Sequence, residues 1–287
     1  MKKVLGIYGA PGRHWVGDGF PVQSLFSYQT HGQEMSPFLL LDYAGPREFT
    51  PAETPRGVGE HPHRGFETVT IVYHGEVEHR DSHGGGGRIG PGDVQWMTAG
   101  GGLLHQEFHS HEFTRRGGLF ECVQLWVNLP AAAKMTDPAY QPIVKDEIPV
   151  VELPETSGTL RVIAGEHGAV RGPARTFTPM NVWDVRLAAG KHLELDVPEA
   201  WTTAIVVLRG ALRIGGAAVG EARFALLGTE DTRVSLDADT EALFLVLNGA
   251  PIDEPIAGYG PFVMNTREEI QQAMRDFSSG RFGRIAH

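Results

Sequence analysis

The sequence is poor in cysteine, in basic charge and in long apolar runs, and each shortage excludes a class of protein. One cysteine among 287 residues leaves no internal disulfide framework and no cysteine-based zinc or iron–sulfur site within a chain. Acidic residues outnumber basic ones by 35 to 25, which argues against direct nucleic-acid binding because phosphate contacts need a basic surface. Any metal must therefore be bound by histidine and carboxylate side chains.

The sequence also lacks the signals of membrane insertion and export. No run reaches the ~18 consecutive apolar residues that cross a bilayer. The apolar segment that follows Lys2 and Lys3 is interrupted by Pro11–His14, too early for a secretory signal. We expect a cytoplasmic protein without a membrane partner, in keeping with the single cysteine.

Short β-rich segments separated by glycine and proline turns are present along the whole chain. Phe66–Tyr73, Leu119–Leu129 and Ala242–Leu247 are examples, and the absence of intervening helical periodicity favours antiparallel sandwiches or barrels. The proline-rich segment 131–142 has no strand alternation and is interpreted as a linker with at most one short helical turn. We therefore predict an all-β fold of two domains, with residues 1–130 and residues 143–287 in separate barrels.

One helix is predicted near the C-terminus, at about residues 266–279. Thr266 and Glu269 form a capping box, and an apolar stripe follows with the period of an α-helix. The stripe, interpreted as a packing face, consists of Ile270, Ala273, Met274 and Phe277. The pattern is compatible with packing on either barrel.

Histidine is concentrated in one part of the chain, where eight of the thirteen lie between His61 and His111. On a strand, residues two apart point to the same side about 6–7 Å from each other, so His61 and His63 can converge on one ion. His105 and Glu107 repeat this spacing. If both strands face the inside of a barrel, three imidazoles and one carboxylate meet, and the alternative is two hydrogen-bonded surface pairs on glycine-rich loops.

These donors suit divalent ions such as Fe, Mn, Ni, Co, Zn or Cu. With four protein ligands, an octahedral ion keeps two positions open for a substrate oxygen and for O2 or water. The second half of the chain has no His-x-His pattern, so its barrel is expected to lack a metal site. The chemistry, if any, is therefore expected in the first barrel.

Five segments together resemble the pirin family of the cupin superfamily, and the resemblance covers nearly the whole chain. The segments are His61–Thr70, Pro91–Gly100, Gly102–Glu107, Gln124–Pro130 and Gly260–Asn265. The resemblance implies a bicupin, with two antiparallel jelly-roll barrels face to face. It also implies one metal, most often Fe(II), bound in the first barrel by His61, His63, His105 and Glu107.

The same resemblance implies a function. It indicates a quercetin 2,3-dioxygenase that opens the oxygenated ring of a flavonol, a small aromatic substrate, with Glu107 as the catalytic base. The alternative is a regulatory protein whose iron oxidation state controls binding to a transcription factor or a metabolic enzyme. A different substrate in the same pocket is a third interpretation, since a fold does not fix a function.

The other polar residues near the predicted ligands have expected roles as well. Glu67 has the parity of His61 and His63, and we expect it to orient an imidazole, with direct ligation as the alternative. His109 and His111 are expected at the rim or in solvent. Solvated loop or structural positions are expected for His74, His79 and His83.

Overall fold

The computed structural model describes residues 1–286, which form twenty-six strands, two α-helices and three short 3₁₀ turns. The first twelve strands are β1 (Val4–Gly9), β2 (His14–Val16), β3 (Phe20–Ser27), β4 (Phe38–Phe49), β5 (Gly57–His63), β6 (Phe66–His74), β7 (Val77–Asp81), β8 (Gly86–Ile89), β9 (Val94–Thr98), β10 (Leu103–His109), β11 (Gly118–Asn128) and β12 (Ala139–Ile143). Helix α1 (His111–Arg116) lies between β10 and β11.

The remaining strands follow the turns Ala131–Ala133 and Lys145–Glu147. They are β13 (Val150–Glu152), β14 (Gly158–Ala164), β15 (Glu166–His167), β16 (Val170–Arg171), β17 (Met180–Leu187), β18 (His192–Asp196), β19 (Thr202–Arg209), β20 (Leu212–Ile214), β21 (Ala217–Val219), β22 (Arg223–Leu227), β23 (Arg233–Ala238), β24 (Ala242–Gly249), β25 (Ala257–Tyr259) and β26 (Phe262–Met264). The third 3₁₀ turn is Pro154–Thr156, and the last element is helix α2 (Arg267–Ser278).

The first barrel is the compact unit formed by Gly12–Gln33, Phe38–Lys145 and the segment from Ile252 onward. Its two antiparallel sheets have the strand orders β12-β9-β6-β11-β4-β3-β2 and β5-β10-β7-β8. An apolar cluster of this barrel contains Phe20, Phe113 and Phe120. The four-stranded sheet carries the predicted metal ligands.

The second barrel is the compact unit formed by Met1–Pro11, Glu34–Pro37 and Asp146–Pro251. Its sheets have the orders β1-β22-β19-β24-β17-β14-β13 and β18-β23-β20-β21, so each barrel contains one seven-stranded and one four-stranded sheet. Its inward side chains form one large apolar cluster that includes Trp183 and Phe244. The prediction of an all-β fold with two antiparallel barrels is confirmed.

The two units do not follow a division of the chain at residues 131–142. Residues 1–11 are grouped with the second barrel, where β1 pairs with β22, and the segment from Ile252 is grouped with the first. Part of the predicted linker is a strand, since β12 pairs with β9 at the sheet edge. Pro142, which cannot donate a backbone hydrogen bond, is tolerated because an edge strand has one unpaired side.

The predicted C-terminal helix is confirmed. Thr266 is its N-cap, and its capping box with Glu269 is formed. The packing face differs from the apolar stripe, because Met274 is exposed whereas Asp276 is buried. Helix α2 belongs to the first barrel, and among residues 1–286 no helix is both long and apolar enough to cross a membrane.

Candidate metal centre

Two neighbouring strands bring three of the predicted ligands together. Strands β5 and β10 are antiparallel, with His105 directly opposite His61 and Leu103 opposite His63. His61 and His63 are two residues apart on β5, so their side chains leave the same face. One nitrogen from each of His61, His63 and His105 lies within 4.8 Å of the others. That separation allows all three imidazoles to bind one ion.

Several ring nitrogens in this cluster have no hydrogen-bond partner. Both nitrogens of His105 and the Nδ1 of His63 are buried and unpaired. The Nδ1 of His61 lies 2.8 Å from the Gly59 carbonyl, which leaves its Nε2 available. Buried polar atoms without partners are costly, and ligation by a metal ion would satisfy them. The donor set therefore fits a divalent metal.

The electrostatics of the cluster favour neutral imidazoles. Burial lowers the pKa of His61, and burial together with the neighbouring imidazoles holds the pKa values of His63 and His105 well below the usual range. A neutral imidazole has the free lone pair that a metal ligand needs. The three histidines are thus in the protonation state required for ligation.

Glu107 lies on the same strand two residues beyond His105 but outside the group of closely spaced nitrogens. The β5–β10 register is irregular between His105 and Glu107, which stands opposite Val58 and not opposite Gly59. Burial raises its pKa to about 7. Gln124 Nε2 lies 3.5 Å from Oε2, and the carboxylate borders a cavity of about 50 Å³. Ligation by Glu107 stays a prediction.

Glu67 makes a different contact from the one expected. Its Oε1 accepts a hydrogen bond from Thr98 Oγ1 at 2.7 Å, and burial raises its pKa to about 7. The next residue, Thr68, stands opposite Trp126, whose ring lies 5.3 Å from that of His63. Successive strand residues point to opposite faces, so Glu67 leaves β6 on the face away from the imidazoles. The expectation assumed one continuous strand from His61 to Glu67. The turn at Arg64 and Gly65 interrupts that strand, so alternation does not place Glu67 on the side of His61 and His63.

The expectation of a rim position for His109 is wrong. β10 stays ordered to its last residue, and His109 is buried among aromatic rings, with Nε2 3.0 Å from the Gly19 carbonyl. The rings are those of Phe20, Phe49, Phe113 and Phe120. His111 is exposed, as expected, and His79 is buried with Nδ1 3.2 Å from the Tyr140 hydroxyl.

Sequence reasoning missed the polar residues that line the barrel interior near Glu107. Asp42, Thr70 and Gln124 stand in register on neighbouring strands β4, β6 and β11 and border the same cavity. Thr70 Oγ1 donates to Gln124 Oε1 at 2.6 Å, which turns the Gln124 amide nitrogen toward Glu107. A polar residue at an inward position of each apolar strand is the signal that identifies this group.

Two family models match the chain. The model described as Pirin matches residues 19–127, and the model described as Pirin C-terminal cupin domain matches residues 182–283. The first match contains all four predicted ligands. The second covers most of the sheets of the second barrel and helix α2.

Individual relatives agree with the family models. A Pseudomonas aeruginosa protein named "putative quercetin 2,3-dioxygenase" is 64% identical over 98% of this chain and 99% of its own length. Human pirin is 38% identical over 88% of this chain and 84% of its own. The crystal structure of quercetin 2,3-dioxygenase from Acinetobacter baumannii superposes on this chain with a TM-score of 0.98. The two sequences are 56% identical, and the match covers 100% of each chain. The chain therefore belongs to the pirin family and has its two-domain cupin fold.

Proposed function

We propose that this protein is a metal-dependent dioxygenase that acts on a flavonol of the quercetin type. The observation that carries the proposal is the convergence of three neutral imidazoles, two of which have unpaired buried nitrogens, with the buried carboxylate of Glu107 two residues beyond His105 on the same strand. The names of the P. aeruginosa and A. baumannii relatives support the choice of reaction and substrate.

In this proposal His61, His63 and His105 hold the metal, and Glu107 is the fourth ligand. Fe(II) is the proposed ion, and the same donors accept Mn, Ni, Co, Zn or Cu. When bound, the ion supplies Lewis acidity toward a substrate oxygen and the redox chemistry that O2 requires. One carboxylate among neutral ligands leaves a positive site, which favours a substrate that binds as an anion.

Glu107 is the proposed general base. Burial raises its pKa to about 7 in the metal-free protein, and a cation bound beside it would favour the ionised form, which is the form that accepts a proton. A carboxylate oxygen of Glu107 would take the proton of the flavonol 3-hydroxyl. The amide of Gln124, oriented by Thr70, is on the Oε2 side of that carboxylate.

A stacked pair of aromatic rings lies beside the imidazoles. The rings of Phe66 and Trp126 are stacked with centroids 4.3 Å apart, and both contact the ring of His63. Trp126 is only partly buried. We propose that it packs against the rings of the flavonol, since stacked aromatic pairs orient planar ligands. The overall reaction converts quercetin and O2 to a depside and carbon monoxide.

The test is O2 uptake by metal-loaded protein with quercetin, beside the variants Glu107→Ala and Glu107→Gln. We expect both to lose at least about 100-fold in rate, the range for loss of a general base. Glu60→Gln is the matched control, because Glu60 is an exposed carboxylate on the same strand β5 as His61. No uptake by the Fe(II)-loaded wild type above the Glu107→Ala variant would refute the dioxygenase and favour the metal-dependent regulatory protein.

A further inference from the structure

A buried ion pair connects the turn after His63 to the C-terminal helix. Arg64 directly follows His63, and its Nη1 donates to Asp276 Oδ2 at 2.9 Å. The two side chains are 6% and 9% exposed. Asp276 lies in the last turn of α2, 212 residues further along the chain. A buried charge pair is costly to desolvate, so its position next to a predicted ligand calls for a physical explanation.

The same guanidinium also holds the turn that leads to His105. Arg64 Nε donates to the Gly101 carbonyl at 2.7 Å, and Gly101 lies just before strand β10. The face of the guanidinium lies 4.7 Å from the centre of the Phe282 ring, which follows α2. The Arg64 side chain therefore connects the turn that follows His63 with the turn that precedes His105.

Asp276 is itself fixed by more than one partner. Gln272 Nε2 donates to its Oδ1 at 2.7 Å, and Arg281 Nη1 donates to the same oxygen at 2.6 Å. Oδ2 is left to Arg64. With both oxygens paired, the carboxylate has one orientation, and that orientation is transmitted to Arg64.

The C-terminal segment is seated closely on both turns. Backbone hydrogen bonds run from Arg64 N to the Pro261 carbonyl and from Val263 N to the Arg64 carbonyl. Gly65 and Gly102 have positive φ angles, and a Cβ would overlap the Val263 carbonyl at the first and the Phe282 ring at the second. The C-terminal segment therefore packs directly against both turns.

We propose that Asp276 is a positioning residue of the metal centre. Through Arg64, it holds the His63 turn and the Gly101 turn at the separation at which His63 and His105 meet one ion. The inference rests on the metal-binding part of the proposed function and is independent of the flavonol substrate.

The test measures binding of Co(II) alone to the full-length protein, by competition with a chelator and by the visible spectrum of the bound ion. We expect Asp276→Asn, which keeps the side-chain shape, to weaken Co(II) binding by at least about tenfold, as is usual when support of a ligand is lost. The Co(II) spectrum shifts as well, because the imidazoles no longer meet at the same angles.

Asp184→Asn is the matched control. Asp184 pairs with Arg161 at the same 2.9 Å distance and is almost fully buried, but it belongs to the second barrel. We expect this variant to keep the affinity and the spectrum of the wild type. A fall in Co(II) affinity equal to that of Asp276→Asn would overturn the proposal, since it would show a general loss of stability.

Arg64→Lys provides a second test if Asp276→Asn does not fold. Lysine keeps the charge opposite Asp276 but cannot also donate to the Gly101 carbonyl through Nε. We expect weaker Co(II) binding again. Wild-type affinity and an unchanged spectrum in folded Asp276→Asn would overturn the role of Asp276, and the same result in folded Arg64→Lys would overturn the action of Arg64 on the Gly101 turn through which that role is proposed. Co(II) binding without O2 uptake on quercetin would instead refute only the flavonol reaction, and a wild type that binds no Co(II) would refute the metal site itself.

Discussion

At the scale of single residues, the feature that points to a metal is the set of buried nitrogens without partners. His105 is fully buried with both ring nitrogens unpaired, which is unfavourable in a protein without a ligand. A side chain in this state lowers the stability of the metal-free protein but leaves both ring nitrogens available to a ligand. The site thus exchanges stability for the capacity to bind.

One substitution at His105 should therefore have opposite effects on metal binding and on the stability of the metal-free protein. We expect His105→Phe to abolish Co(II) binding and to raise the free energy of unfolding of the metal-free protein by about 1 kcal/mol, because two unsatisfied buried atoms are removed. Chemical denaturation of chelator-treated protein measures the second effect. His111→Phe, at an exposed histidine, is the control and should change neither quantity. A destabilised metal-free His105→Phe would contradict the argument.

The spacing of residues predicts some members of the site and not others. His61 and His63 follow from strand alternation alone, and His105 follows once β5 and β10 are paired. Alternation does not predict the register irregularity before Glu107 or the turn that reverses Glu67, because both depend on local backbone geometry. The burial of His109 depends on four aromatic rings from other segments.

At the scale of elements, a buried lysine joins three segments of the first barrel. Lys134, just after the 3₁₀ turn Ala131–Ala133, donates from Nζ to the carbonyls of Gly65 and Val263 and to Asn128 Oδ1, at 2.8–2.9 Å. It fixes the β5–β6 turn against strand β26. Burial lowers its pKa to about 7, although the charges of two glutamates oppose the shift.

This pKa predicts how stability changes with pH. Between pH 7 and 10.5 the unfolded chain keeps the Lys134 proton and the native state does not, so the free energy of unfolding contributed by this group rises with pH. We expect the stability of wild type relative to Lys134→Met to increase from pH 6 to pH 10 in urea titrations. The other titrating groups are the same in both proteins, so their contributions cancel in the stability difference. A difference that is constant with pH would contradict the prediction.

Helix α2 shows what local patterns predict about an element. The capping box gives its start correctly, since that motif involves only residues within one turn. The apolar stripe predicts the buried face of α2 only in part: Ile270 and Ala273 are buried, but Phe277 is exposed. Asp276 is buried because of its distant partner Arg64, and no local pattern contains that information.

At the scale of the whole molecule, the two barrels differ in what fills them. The second barrel is packed with apolar side chains, whereas the first has a cavity whose lining includes the polar residues Glu107, Gln124, Thr70 and Asp42 among apolar ones. The turn signals predict two barrels, and the absence of a second His-x-His pattern predicts that only one carries a site. The placement of β1 in the second barrel was not predictable, because its partner β22 lies more than 200 residues away.

This asymmetry predicts where a metal stabilises the chain. Binding to the native state alone stabilises by about 4 kcal/mol when free metal is 1,000 times Kd. We expect Co(II) to slow hydrogen exchange in β5, β10 and helix α2 and to leave β17, β19 and β24 unchanged. Mass spectrometry of peptides measures this. Equal protection of both barrels, or no protection of α2, would be the contradictory result.

The grouping of the segment from Ile252 with the first barrel has a consequence for biosynthesis. Translation produces His61, His63 and His105 early. The ion pair between Arg64 and Asp276 can form only after every strand of the second barrel has been made. A nascent chain that has emerged as far as Pro251 presents the three imidazoles without the segment that seats their turns. Acquisition of the metal in its final geometry is thereby delayed until helix α2 and Phe282 have been made, and a ribosome-stalled chain that ends at Pro251 should retain Co(II) poorly.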